Sequence, residues 1–170
     1  MTGLLAGWAP GDALVLALVI PVIGAFLVLA LGRWENARDG ASLITAGCLF
    51  YVVTQLYPIV AAGGRPDIVL FDMVPGLSIR LTLEPLGMIF AGIASFLWIV
   101  TTLYAIGYMR GHHEENQTRF FFFFAIAIAS AIGVALAGNM LTLFVFYEVL
   151  SVSTFPLVAH HGTEEAKRSG

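Results

Sequence analysis

The sequence predicts an all-α, polytopic membrane protein with five transmembrane helices and a short β-hairpin between the second and third. Three observations predict it. Of the 170 residues, 59% are apolar or aromatic and 11% charged, about half the charged share of an ordinary soluble domain. The apolar residues fall into five windows, 13–31, 41–62, 85–109, 120–137 and 141–159, of 19, 22, 25, 18 and 19 residues. At about 1.5 Å of rise per residue, each covers roughly 27 to 37 Å as a helix, enough for a hydrocarbon layer of about 30 Å. Between the second and third windows the pattern changes to a period of two, which belongs to a strand. The chain is read as a single membrane domain over residues 1–170.

No Lys or Arg precedes the first window, and it ends in Leu31-Gly32-Arg33-Trp34 without a small-residue cleavage pattern. It is expected to be a retained span, not a removed signal peptide. The second window holds Cys48, the one cysteine; without a second thiol or clustered ligands it is expected to serve packing. The connection that follows contains Asp67 to Asp72, a Pro75-Gly76 turn and the alternating Leu77-Ser78-Ile79-Arg80-Leu81-Thr82-Leu83-Glu84. A hairpin over about 67–84 is expected there, outside the hydrocarbon, where its unpaired edges can meet water or a neighbouring subunit. Pro85 then fits the first turn of the third helix, where its missing N–H costs nothing.

Gly138-Asn139-Met140 separates the fourth and fifth windows, which makes them antiparallel neighbours in a tight helical hairpin. The fourth carries small residues in two rows, Ala125, Ala129, Gly133, Ala137 and Ala127, Ala131, Ala135, suited to close helix packing. Phe120 to Phe124 at its start reads as a greasy end facing lipid or a neighbouring subunit.

A net charge of −3 with no basic run excludes nucleic acid as a partner. No His/Cys/Asp/Glu spacing fits a metal, no glycine-rich loop follows a strand, and no nucleophile sits beside a base. Neither a cofactor nor catalysis by this chain alone is expected.

Ten of the eleven acidic residues lie in loops, in tails or at span edges; the eleventh, Glu148, is two residues from the midpoint of its window. A charge at that depth costs about 2.5 to 3.5 kcal/mol on insertion scales, and glutamate is too short to reach either surface. Desolvation favours the neutral acid, whereas a nearby cation or hydroxyl favours the carboxylate. A carboxyl balanced between these can load and release a proton, so Glu148 is the candidate relay residue. The alternative is a permanently protonated glutamate bonded to a neighbouring helix. Ser151 at i+3 and the adjacent Tyr147 are candidate hydroxyl partners, and Pro156 further along frees a carbonyl. His112-His113 and His160-His161 fall just past span ends. Their rings suit an interfacial anchor, and titration near neutral pH would suit a proton entrance, His160 and His161 lying nearest the Glu148 span.

Arg33, Arg38, Arg110, Arg119, Lys167 and Arg168 fall on one side of a five-span map and Arg65 and Arg80 on the other. Positive charge collects in the cytoplasm, so the N-terminus is expected outside and the C-terminus inside.

Gly138 to Glu148, followed by Ser153-Thr154-Phe155-Pro156-Leu157-Val158-Ala159-His160, resembles the fourth-to-fifth-helix region of the antiporter-like membrane subunits. So do Pro75 to Gly87 and Tyr104-Ala105-Ile106-Gly107-Tyr108-Met109-Arg110. That family is shared by Mrp-type sodium/proton antiporters, respiratory complex I and membrane-bound hydrogenases. The wording Phe-Tyr-Glu and Pro-Leu-Val-Ala-His is most similar to the Mrp D-type and hydrogenase-type branches. The resemblance implies a multi-pass subunit of a larger complex in a prokaryotic plasma membrane, moving H⁺ and possibly exchanging Na⁺. It implies that Glu148 is a proton-relay carboxylate coupled to an intramembrane lysine on a later, broken helix. Family members continue well past the point where this chain stops, at Gly170, and Lys167 belongs to a polar tail. The expected identity is therefore the N-terminal part of an ion-translocating subunit, from a longer, truncated or split product, with the lysine supplied elsewhere. The alternatives are a pumping-module subunit of a quinone-linked NADH dehydrogenase or hydrogenase complex, or a scaffold without its own channel.

Overall fold

A computed structural model describes residues 9–74, 76–112 and 116–158. The order is α1 (Pro10–Ala30), α2 (Glu35–Ala61), β1 (Asp67–Val74), β2 (Leu77–Thr82), α3 (Pro85–Gly111), α4 (Gln117–Ala135) and α5 (Met140–Val158). All five helices are long and apolar enough to cross a membrane, and the two strands form an antiparallel hairpin between α2 and α3.

None of the helices has a sharply divided apolar and polar side, as expected where both core and lipid are apolar. Packing is decided by side-chain size. α4 lies between α1 and α5, α1 also packs on α2, and α2 on α3. Gly24 on α1 leaves room for the Thr45 side chain on α2, and a Cβ there would overlap it. Leu14, Leu49, Val53, Leu56, Ile132 and Leu136 are fully buried where these helices meet, joined by Leu81 and Leu83 from the hairpin.

The hairpin obeys its period of two. Ile79, Leu81 and Leu83 are buried, with Arg80 outward between them. Gly76 takes φ +87 in the turn, a left-handed conformation that only glycine adopts cheaply. The register pairs Asp67 with Thr82, and Asp67 receives Arg80 Nε at 2.5 Å, Arg80 Nη2 at 2.7 Å and Thr82 Oγ1 at 2.9 Å. These bonds, led by that from Arg80, hold the Asp67 carboxyl below its ordinary value of 3.8. One edge of the hairpin is not left to water or a neighbour. The turn between α4 and α5 closes on β2: Thr82 N donates to Leu136 O at 2.8 Å and Gly138 N to Arg80 O at 2.9 Å. Gly138 is required there, because a Cβ would fall 3.1 Å from the Arg80 carbonyl oxygen and closer still to Thr82 Oγ1.

The structure differs from the sequence expectation at the end opposite the hairpin. Helix α2 starts at Glu35, six residues before the apolar window at 41. Arg38 and Asp39, expected as loop charges, are thereby buried within it at 3% and 4% exposure. Mutual neutralisation makes this possible. Arg38 Nε donates to Asp39 Oδ1 at 2.9 Å, and Arg110 of α3 donates from Nε to Asp39 Oδ2 at 2.9 Å. Arg38 Nη2 reaches Gln117 Oε1 at the start of α4 at 2.8 Å, and its guanidinium lies 5.4 Å from the centre of the Phe121 ring. One carboxylate thus ties α2, α3 and α4 together.

The phenylalanine run is an outer end only in part. Phe121 is 2% exposed beneath Arg38, and the other four are half-buried. Cys48, in contrast, is exposed beside Leu16, Ile20 and Tyr51, so it does not pack in the core.

Two outcomes follow from these ion pairs. Removing the Asp39 carboxylate leaves Arg38 buried without its counter-charge, and Asp39→Ala should destabilise the fold by about 3 to 5 kcal/mol. Thermal unfolding in detergent checks this, with Arg33→Gln, at an exposed cation, unchanged. At the hairpin, a carboxyl with a lowered folded pKa contributes stability above pH 3.8 and loses it as pH falls through the lower folded value. Hydrogen exchange of the β1–β2 amides, corrected for intrinsic rates, should therefore accelerate below that pH in the native chain. Asp67→Asn should show the faster exchange already at neutral pH.

Candidate functional site

The candidate site is on α5, and the start of that helix is fixed by the hairpin. Asn139 Oδ1 accepts Thr142 N at 2.8 Å, as a cap for the first turn, and also accepts Thr142 Oγ1 at 2.8 Å. The Asn139 amide donates to Ser78 O at 2.7 Å, and Arg80 N donates to Thr142 Oγ1 at 2.9 Å. Polar bonds therefore join strand β2 to the first turn of α5. Gly133 on α4 faces Phe146 on α5, whose ring occupies the space a Cβ would need. The small-residue row expected for close packing serves this approach, with Ala125, Ala129 and Gly133 all buried.

Seating Phe146 against Gly133 decides which way the rest of α5 faces. Residues three and seven further on, Val149 and Ser153, share its face, and Ser153 is 3% exposed. Glu148, two residues after Phe146, comes off the helix well round from that face; it is exposed and close to the middle of the 19-residue helix. It lines an open recess of about 300 Å³ with Phe123 and Ile126 from α4 and Val149, Val152 and Ser153 from α5. The surface of the recess is apolar throughout, and Glu148 is an exposed residue at its border. Among the described residues no hydrogen bond or ion pair reaches Glu148.

The expected hydroxyl partners sit differently. Ser151 and Tyr147 are exposed on α5, and no hydrogen bond joins either to the Glu148 carboxylate. Ser153 lines the recess instead, its hydroxyl donating to Leu150 O at 2.9 Å. Helix α5 continues through Pro156 to Val158. His160, His161, His113 and Lys167 lie outside the described residues. His112 is exposed at the end of α3, its ring 4.3 Å from that of Tyr108.

The outward surfaces of the helices are unlike one another. That of α1 is apolar, with Val19, Ile23, Phe26 and Leu27 exposed; that of α5 carries Tyr147, Glu148 and Ser151 among its apolar residues. No group of three or more potential metal ligands occurs among the described residues. The arrangement thus sets one carboxyl-bearing residue beside an apolar recess near the middle of α5.

Comparison with known proteins agrees with this architecture. Residues 75–121 match the family described as NADH-ubiquinone oxidoreductase (complex I), chain 5 N-terminus. The chain is 31% identical over 152 residues to the A/B subunit of a probable K⁺/H⁺ antiporter of Rhizobium meliloti, covering 85% of this chain and 15% of that protein. It is 23% identical over 158 residues to the A1 subunit of a Na⁺/H⁺ antiporter of Staphylococcus aureus, covering 91% of this chain and 20% of that one. These relatives are of the A type rather than the D type. A solved structure of the membrane-bound sulfane sulfur reductase, an archaeal respiratory membrane complex, superposes with TM-score 0.70 and 25% identity, over 84% of this chain and 22% of the other. The chain thus spans between about a seventh and about a quarter of the length of these proteins. It corresponds to the N-terminal portion of the antiporter-like membrane-subunit family.

Proposed function

We propose that this chain forms the N-terminal part of an ion-translocating subunit in a multisubunit membrane complex, carrying H⁺ or exchanging H⁺ for Na⁺ through Glu148. The observation that carries the reading is the position of that carboxyl group. Glu148 borders an apolar recess near the middle of α5, and among the described residues it is the acidic residue set deepest within a span. A lipid tail filling the recess would leave the carboxyl without a partner. A cationic side chain from the assembly, an intramembrane lysine by the family resemblance, would stabilise the carboxylate.

The mechanism is then alternating occupancy. With the cation near, Glu148 is its counter-charge; when the cation moves away, a proton replaces it on the carboxyl group. Returning the cation expels the proton, and access from opposite sides in the two states gives direction. Tyr147 and the histidines His160 and His161 are placed as supporting groups on the route, with the N-terminus outside and the C-terminus on the cytoplasmic side of a prokaryotic plasma membrane.

A second reading rests on the match of residues 75–121 to the complex I family and on the likeness to an archaeal respiratory complex. In it the same relay works as one pumping module of a quinone-linked dehydrogenase or hydrogenase assembly, with the redox chemistry in other subunits. The Glu148 chemistry is common to both readings.

Replacing Glu148 by Gln in the assembled complex tests the proposal. Ion transport into vesicles should fall on the order of a hundredfold while assembly and expression remain normal. Transport at the native rate would make the chain a scaffold.

A further inference from the structure

Helices α1 and α4 pack along one another, with Phe26 edge-on to Phe122 at 6.1 Å between ring centres. At the end away from the hairpin this seam closes where the Thr118 hydroxyl donates to Gly32 O at 3.4 Å; a Cβ on Gly32 would fall 2.8 Å from the Thr118 methyl group. The residues that follow, Arg33 and Arg119, are both exposed, and no described residue pairs with either. The other two guanidiniums at this end, Arg38 and Arg110, share Asp39. Among the described residues, four arginines thus face two carboxylates here, Glu35 and Asp39. The unpaired positive charge is concentrated beside the Gly32–Thr118 contact.

Immediately below this cationic end is a continuous apolar track. Leu29, Phe26 and Ile23 on α1 are 47%, 60% and 52% exposed, one turn apart. Phe122 on α4 follows Arg119 by three residues and so shares its face. Trp34, 64% exposed, stands next to Arg33, a placement typical of the headgroup level. Two guanidiniums without a partner among the described residues, above an apolar track, are complementary to an amphiphile with a net negative head.

We propose that the α1–α4 seam binds an anionic phospholipid. Its phosphodiester lies between Arg33 and Arg119, and an acyl chain runs along Leu29, Phe26 and Phe122. A zwitterionic lipid brings its own cation and leaves the excess uncompensated, so net charge on the headgroup decides occupancy. The site is separate from Glu148 and does not depend on its chemistry.

Native mass spectrometry of the assembled complex, released from mild detergent after equilibration with defined lipid, reads this directly. The native protein should retain phosphatidylglycerol in preference to phosphatidylcholine, with glycerophosphate a poor competitor. In Arg33→Gln/Arg119→Gln the preference should fall roughly thirtyfold, as expected for two interfacial cations. Arg33→Lys/Arg119→Lys should keep most of it, and Arg65→Gln at the hairpin end should leave it unchanged. Equal retention of both lipids, or an undiminished preference in the double Gln variant, overturns the proposal. Loss in the Lys variant as large as in the Gln variant overturns it too. Competition by glycerophosphate as strong as by the lipid would reduce the site to one for a free anion and overturn it likewise.

Discussion

Within hydrocarbon there is no water to accept or donate a hydrogen bond, so each polar group in the spans needs a partner from the protein or its assembly. The irregular parts of this chain are organised by that requirement. Where α4 turns into α5, the last carbonyl groups of one helix and the first N–H groups of the next would be left open. Strand β2 supplies Thr82 N and Arg80 O to the turn, and Asn139 caps α5 while holding Ser78. The hairpin is therefore more than a decoration of the connecting loops; it is the partner that lets two antiparallel helices reverse within a short turn.

The same requirement explains the ionic joint at the opposite end. Asp39 is nearly fully buried, yet both its oxygens are occupied by guanidinium donors from two helices. A pair of this kind contributes little net stability over an apolar replacement, but it is intolerant of losing one member. Its effect is to specify how α2, α3 and α4 meet, and so to set where α4 presents Phe123 and Ile126 to the recess beside Glu148. Against this background Glu148 stands out. The buried polar groups of the spans mostly find bonds inside the chain, as Ser42, Thr45, Ser130 and Ser153 do with carbonyls of their own helices, whereas Glu148 is exposed. Glu148 lines a recess whose other described residues are apolar apart from one serine.

Much of this is legible in the sequence. Window lengths locate the five spans, because hydrocarbon thickness leaves few alternatives, and the period of two with Pro75-Gly76 locates the hairpin. Pro85 marks the start of α3 to the residue. The ends of α2 are harder to read. Hydropathy stops at charged residues, so Arg38 and Asp39 look like a loop, although Asp39, Ser42, Ala46, Leu49 and Val53 follow one helical seam and all are buried. The partner of Asp39 is 71 residues away on α3, and no local pattern announces such a pairing. The face of α5 is similarly hidden. Glu148 and Ser151 are near neighbours by spacing alone, but the fit of Phe146 against Gly133 turns Ser153, not Ser151, toward α4. The phenylalanine run is hard to read for a related reason: composition marks all five as apolar, but only the cation above Phe121 shows why that one ring lies inside.

The central claim is that the Glu148 carboxyl changes its ionisation state as the complex works. Isotope-edited infrared difference spectroscopy of the assembled complex, with Glu148→Gln subtracted to isolate its band, measures that state directly. The account predicts a protonated-carboxyl band that appears and disappears as pH is varied across the physiological range, and that shifts when an ion gradient is imposed. A band that stays fully protonated throughout, with and without the gradient, would contradict it.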